Sequence, residues 1–195
     1  MSLIPFALTL IISYALIGAG IKLVDQAVDD PSRIRLRKSL VWLVVASLII
    51  LVNIWVFFDV YTAVLALGII LSLIASRKID NTYFIVLAIA VFPLSLFRFF
   101  DISILILVLP TLITIIVASL LDEVLHAQAS KIHTAAIHHV LLHRPILKIS
   151  VVILPFFGLL TFIHTIGFWC FDIAYDALAY YFGAKSFPNT GTDPT

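Results

Sequence analysis

The run "LVWLVVASLIILVNIWVFF", Leu40–Phe58, contains no ionisable side chain. Its apolar residues follow one another without the strict alternation of a barrel strand. Its length matches what a helix needs to cross the hydrocarbon core of a bilayer. In hydrocarbon every backbone N–H and C=O must find a partner within the protein, and a helix supplies these internally. The run therefore predicts a membrane-crossing helix.

Comparable runs occur along the whole chain. Spans are expected near residues 3–24, 40–58, 60–76, 83–97, 102–121 and 149–170, about six in all. Composition agrees: 63% of the 195 residues are hydrophobic and 12% are charged, and the mean hydropathy is +1.18. Soluble domains are far less apolar and about twice as charged. The predicted class is an all-α polytopic membrane protein, with residues 1–183 forming one transmembrane helical domain whose main partner is the lipid bilayer. The first run lacks a basic region before it and is long enough to span, so it is expected to be retained and not removed as a signal peptide. Only Arg98 to Asp101 separates the fourth and fifth runs, which predicts a tight helical hairpin.

Charge placement orients the bundle. With six spans, Lys22, Arg33, Arg35, Arg37, Lys38, Arg77, Lys78, Lys131, Arg144 and Lys148 share one face, whereas Arg98 and Lys185 lie on the other. Basic residues concentrate in cytoplasmic loops. That face is expected to be cytoplasmic and both termini external, in the cell membrane. A net charge of +1 is too small to suggest nucleic acid as a partner, and none is expected; the single cysteine, Cys170, excludes an internal disulfide.

Three segments depart from plain apolar helix. The first is "GAGIKLVDQAVDDP", Gly18–Pro31. On a 3.6-residue period Ala15, Gly18, Ala19, Lys22, Asp25, Gln26 and Asp29 share a face. Small residues admit a close neighbouring helix, so the polar groups below them are expected to face the bundle. The second is "DEVLHAQASKIHTAAIHHVLLHRP", Asp122–Pro145. Residues 122–147 are expected to form a His-rich amphipathic cytoplasmic helix that either continues the fifth span or lies on the inner interface. The third is "FWCFDIAYDALAYYF", Phe168–Phe182, read as the last span running on along the outer interface. Residues 184–195 are expected to be a disordered tail.

These segments hold the candidate chemistry. Asp25, Asp29, Asp122 and His126 are the candidate ligands for a divalent cation, since carboxylate oxygens and imidazole suit such ions. Arg33, Arg35, Arg37 and Lys38 are the candidate binders of an anionic headgroup. Within the spans, polar residues are few: Asn53, and His164 flanked by Thr161 and Thr165, with His164 expected to serve helix packing. Asp25, Asp29 and Asp30 are followed by "PSRIRLRKS", Pro31–Ser39, without the glycines and Ala-Arg pair that mark the CDP-alcohol phosphotransferases. The acidic cluster therefore does not place the chain in that family.

Three functions fit the sequence. A small membrane subunit or accessory protein, binding a membrane-protein partner or a second copy, suits a chain with few catalytic groups. A metal-dependent enzyme acting on a lipid or polyprenyl-phosphate headgroup at the cytoplasmic face would use the carboxylates and the basic run. A small transporter or channel would need charged groups near the midplane, which the chain lacks.

Overall fold

The computed structural model describes residues 3–29, 36–76, 81–129 and 145–182. Among the described residues seven α-helices run in chain order: α1 (Leu3–Asp29), α2 (Lys38–Phe58), α3 (Val60–Ala75), α4 (Thr82–Phe97), α5 (Ile102–Ala129), α6 (Pro145–Ile153) and α7 (Phe162–Tyr181). A 3-10 turn, Leu154–Phe157, extends α6. No strand occurs among the described residues. Ile4–Asp29, Lys38–Phe58 and Ile102–His126 are long and apolar enough to cross a membrane, and Val60–Ala75, Thr82–Phe97 and Pro145–Phe157 are shorter apolar helices.

Helix directions follow from which residues meet. Leu10 and Tyr14 lie beside Gly167, Gly18 beside Phe171, and Asp25 beside Tyr175, so α7 runs parallel to α1. Theirs is the most extensive helix–helix interface among the described residues. Gly68 packs on Ile115 and Ser72 on Ser119, so α3 and α5 are also parallel. α6 runs antiparallel to α5, from Asp122 beside Ile146 to Thr111 beside Leu159.

Three apolar clusters hold the bundle. The largest joins α1, α2, α3, α5, α6 and α7 through Leu10, Trp55, Leu65, Ile115, Val151 and Phe168. A second locks α2–α5 around Val56, Val64, Val91 and Val108. A third seals α1 on α2 around Val24, Val41 and Val45.

Two expectations change. The stretch 149–170, read as one span, is two helices separated at residues 158–161. Gly158, in the left-handed region at φ 70°, ends the 3-10 turn, and its N–H reaches the carbonyl oxygen of Pro155. A left-handed cap is cheap only for glycine. Apolarity continues across this break, so hydropathy cannot register it. Second, because α7 is parallel to α1, Tyr181 lies at the end of the bundle opposite Leu3, where counting had put both termini on one face. The segment Phe168–Tyr181 accordingly packs along α1, and Asp172 meets Lys148 of α6 at 2.7 Å.

The connection between α4 and α5 is as short as expected, but the two helices pack on α3 and not extensively on each other; Asp101 Oδ1 accepts the N–H of Ser103 at the start of α5. The fifth run continues as helix to Ala129. The rest of the His-rich segment up to Arg144, with His133, His138, His139 and His143, lies outside the described residues, as do Asp30, Asp80 and the tail 184–195. Pro145 begins α6, where 122–147 had been expected to form one helix. Its fixed φ and missing N–H suit a first helical position.

Candidate functional site

Asp59 is the single residue between α2 and α3, with extended backbone at φ −133° that lets the chain double back. It caps α3: its Oδ2 accepts the Thr62 N–H at 2.6 Å and the Thr62 hydroxyl at 2.6 Å. Aspartate suits an N-cap because its oxygen satisfies an amide that no helical carbonyl can reach. The same Oδ2 lies 2.7 Å from His164 Nε2 on α7, 105 residues away in the chain.

His164 is 2% exposed and Asp59 13%. On its other side His164 Nδ1 lies 2.5 Å from Thr161 Oγ1. Thr161 occupies the N-cap position of α7, but its hydroxyl makes no capping bond to the backbone and is turned to the imidazole instead. The Tyr61 ring lies 5.3 Å from the imidazole, centroid to centroid. Tyr14 of α1 completes the group, its hydroxyl 3.0 Å from Thr62 Oγ1.

Proton placement follows from the partners. A carboxylate only accepts, so Nε2 carries hydrogen and donates to Asp59. In the neutral ring Nδ1 is then an acceptor, and the Thr161 hydroxyl donates to it. The Thr62 hydroxyl is committed to Asp59, so it accepts from Tyr14. The result is one directed series: Tyr14 to Thr62 to Asp59 from one side, Thr161 to His164 to Asp59 from the other. Burial pushes the Asp59 carboxyl up, but the hydrogen bond from His164 and the two bonds from Thr62 outweigh it. The net is a carboxyl held below its ordinary value.

Of the residues singled out from sequence, Asp25 and Asp122 lie toward the other end of the bundle. Asp25 accepts from Lys22 at 2.6 Å and from the Tyr175 hydroxyl at 3.2 Å. The Lys22 ammonium also stands 5.0 Å from the centre of the Tyr175 ring. Asp122 is buried, and its two oxygens accept the backbone N–H groups of Ile146 and Leu147 at 2.9 and 2.7 Å. It thereby caps α6 from α5. Asp29 is exposed at the end of α1, and His126 is half-buried one turn beyond Asp122. Among the described residues no three His, Cys, Asp or Glu side chains are grouped to hold a metal ion. Arg37 and Lys38 are exposed at the start of α2, and Arg33 and Arg35 lie outside the described residues.

Sequence reading missed Asp59 and understated Thr161. The signal was present: an aspartate set directly between two apolar runs, without a loop, has to be either wet or paired. Its partner, a histidine 105 residues away, could be found only from the fold. No known protein family, curated protein or solved structure matches this chain.

Proposed function

We propose that the chain is a multi-pass integral membrane protein of the cell membrane that works as a small membrane subunit or accessory protein. The observation that carries this reading is the use made of the charged groups at the inner end. Asp25, Asp122, Lys148 and Asp172 each tie one helix to another or cap one with another. Carboxylates so committed serve cohesion of the bundle. Outside, α2 and α5 present broad apolar faces through Leu43, Ile50, Phe57, Ile106, Ile113 and Val117. Such faces suit lipid and the helices of a partner or a second copy.

The orientation proposed has α1 running inward and α7 running inward beside it. Seven helical crossings then replace six, counting α6 with its 3-10 turn as a short one. Every basic residue of the sequence except Arg98 then falls in segments joined to the same helix ends. The positive-inside rule makes that end cytoplasmic. Counting seven crossings sharpens the asymmetry, which supports the revised count.

A metal-dependent enzyme at the cytoplasmic face receives less support, because Asp25 and Asp122 answer to different partners. The test of the subunit reading is the protein mass in mild detergent, by light scattering with the detergent subtracted. An assembly larger than the 21.7 kDa chain is expected. A strictly monomeric particle extracted under the mildest conditions would overturn it.

A further inference from the structure

The outer end of the bundle carries a different arrangement from the inner one. At the inner end, charged groups close on each other and on backbone. At the outer end, a hydroxyl is the last member of a hydrogen-bonded series that begins at a half-buried carboxylate. We propose that Thr161 is an activated nucleophile, with His164 as its general base and Asp59 as the positioning residue, acting on an ester of a membrane lipid.

Four observations carry this. The order carboxylate, imidazole, hydroxyl is complete, at 2.7 Å and 2.5 Å, and the carboxylate fixes the tautomer that leaves Nδ1 free to take the hydroxyl proton. The hydroxyl is not spent on capping its own helix. The amides of Phe162 and Ile163, next to it in the chain, precede the first bonded amide of α7, that of His164, and have no backbone acceptor among the described residues. Two N–H groups beside an attacking oxygen can receive the charge that develops on a carbonyl oxygen. Finally, the surroundings are greasy: Phe57 and Phe58 precede Asp59, Phe156 and Phe157 precede the turn, and Phe162 follows Thr161, all exposed. An exposed aromatic rim suits an acyl chain delivered from the bilayer and not a polar substrate from water.

The chemistry balances without a cofactor. Thr161 Oγ attacks the ester carbonyl carbon while its proton passes to His164 Nδ1, forming the Oγ–C bond and an oxyanion. The oxyanion collapses, the ester C–O bond breaks, and the leaving alcohol takes the proton from Nδ1. Water then repeats the sequence: it gives its proton to Nδ1, its hydroxyl bonds to the acyl carbon, and Thr161 Oγ leaves with the proton. The leaflet from which the ester comes rests on the orientation proposed above. The nucleophile does not.

The test is covalent labelling of the full chain in proteoliposomes with a membrane-permeant alkyl fluorophosphonate, mapped by peptide mass spectrometry. Attack by Thr161 forms an Oγ–P bond and expels fluoride. A single phosphonyl adduct on Thr161 is expected, retained in Thr161→Ser and absent in Thr161→Ala. His164→Gln should slow labelling by about a hundredfold or more, the scale of a lost general base. Asp59→Asn should slow it while Asp59→Glu restores it, at matched thermal stability, which separates positioning from a purely structural role. No adduct at Thr161 of the unaltered protein after prolonged incubation overturns the proposal, whether or not any variant folds. So does labelling at an unchanged rate in His164→Gln.

Discussion

Gly18 of α1 and Phe171 of α7 approach so closely that a Cβ on Gly18 would run into the Phe171 carbonyl oxygen. Backbone meets backbone here, so no side chain can swing aside. Gly18→Ala is expected to force α1 and α7 apart, at a cost of about 1–3 kcal/mol, the usual range for overpacking. Gly20→Ala is the control. Its added methyl meets only the Leu48 side chain, which can move, so a smaller loss is expected. Thermal unfolding of both variants in the same detergent checks the order. Equal losses would show that α1 and α7 do not meet as described.

The Asp59–His164 pair predicts strong coupling. His164→Ala removes the imidazole from a carboxylate that is largely buried, and breaking such a pair costs about 3 kcal/mol or more. Asp59→Ala also removes the cap of α3 and the acceptor of the Thr62 hydroxyl. The double variant is expected to lose clearly less than the sum of the two, because each single change already abolishes the shared bond. Additive losses in a double-mutant cycle would contradict the contact.

Acid should expose the same carboxylate. Asp59 titrates lower in the folded chain than its ordinary 3.8. A group lowered on folding contributes stability that is fully present above its unfolded value and is lost as pH falls through its folded value. The thermal midpoint is therefore expected to hold from neutrality down to about pH 4 and to fall below it. Asp59→Asn should flatten part of that fall. An unchanged acid limb in Asp59→Asn would assign the loss to other carboxylates.

Asp122 caps α6 from α5, and its removal should act locally. Asp122→Ala leaves the amides of Ile146 and Leu147 without their acceptors, an effect of about 1–2 kcal/mol. Asp122→Asn keeps one acceptor oxygen and should lose less. Hydrogen exchange read at residues 146–150 should rise in Asp122→Ala well before it rises in α2 or α3. Uniform exchange throughout the bundle would mean that the cap acts on global stability instead.

Much of this architecture was legible because hydrocarbon imposes it. Runs such as Leu40–Phe58 have only one stable solution in lipid, and the small-residue face of α1 around Gly18 announced a close helix contact. The close of the bundle was not legible. Pro155, Gly158 and Thr161 turn the chain inside an unbroken apolar stretch, and hydropathy sums over them. The site suffered from the same blindness in another form. Asp25, Asp29, Asp122 and His126 stood out because they cluster in sequence at helix ends, yet Asp25 and Asp122 proved to be committed to separate partners. Asp59 and His164 are far apart in sequence, and only the packing of α7 against α1 and the α2–α3 turn brings them together.

The reversal of α7 has a consequence that labelling can read directly. In a Cys170→Ser background, a cysteine at Ser2 precedes α1, and a cysteine at Phe182 follows α7, beyond the residues Asp172 and Tyr175 that meet Lys148 and Asp25. With α7 parallel to α1, an impermeant maleimide added to intact cells should modify Ser2→Cys and leave Phe182→Cys unmodified until the membrane is opened. Six crossings would expose both from outside. The outcome also bears on Thr161, since only an inward-running α7 puts its first turn, the Asp59 junction and the aromatic rim at the outer leaflet. Modification of both cysteines in sealed cells would therefore overturn the seven-crossing arrangement, and modification of Phe182→Cys alone would invert the orientation and move the lipid-facing end of the proposed nucleophile with it.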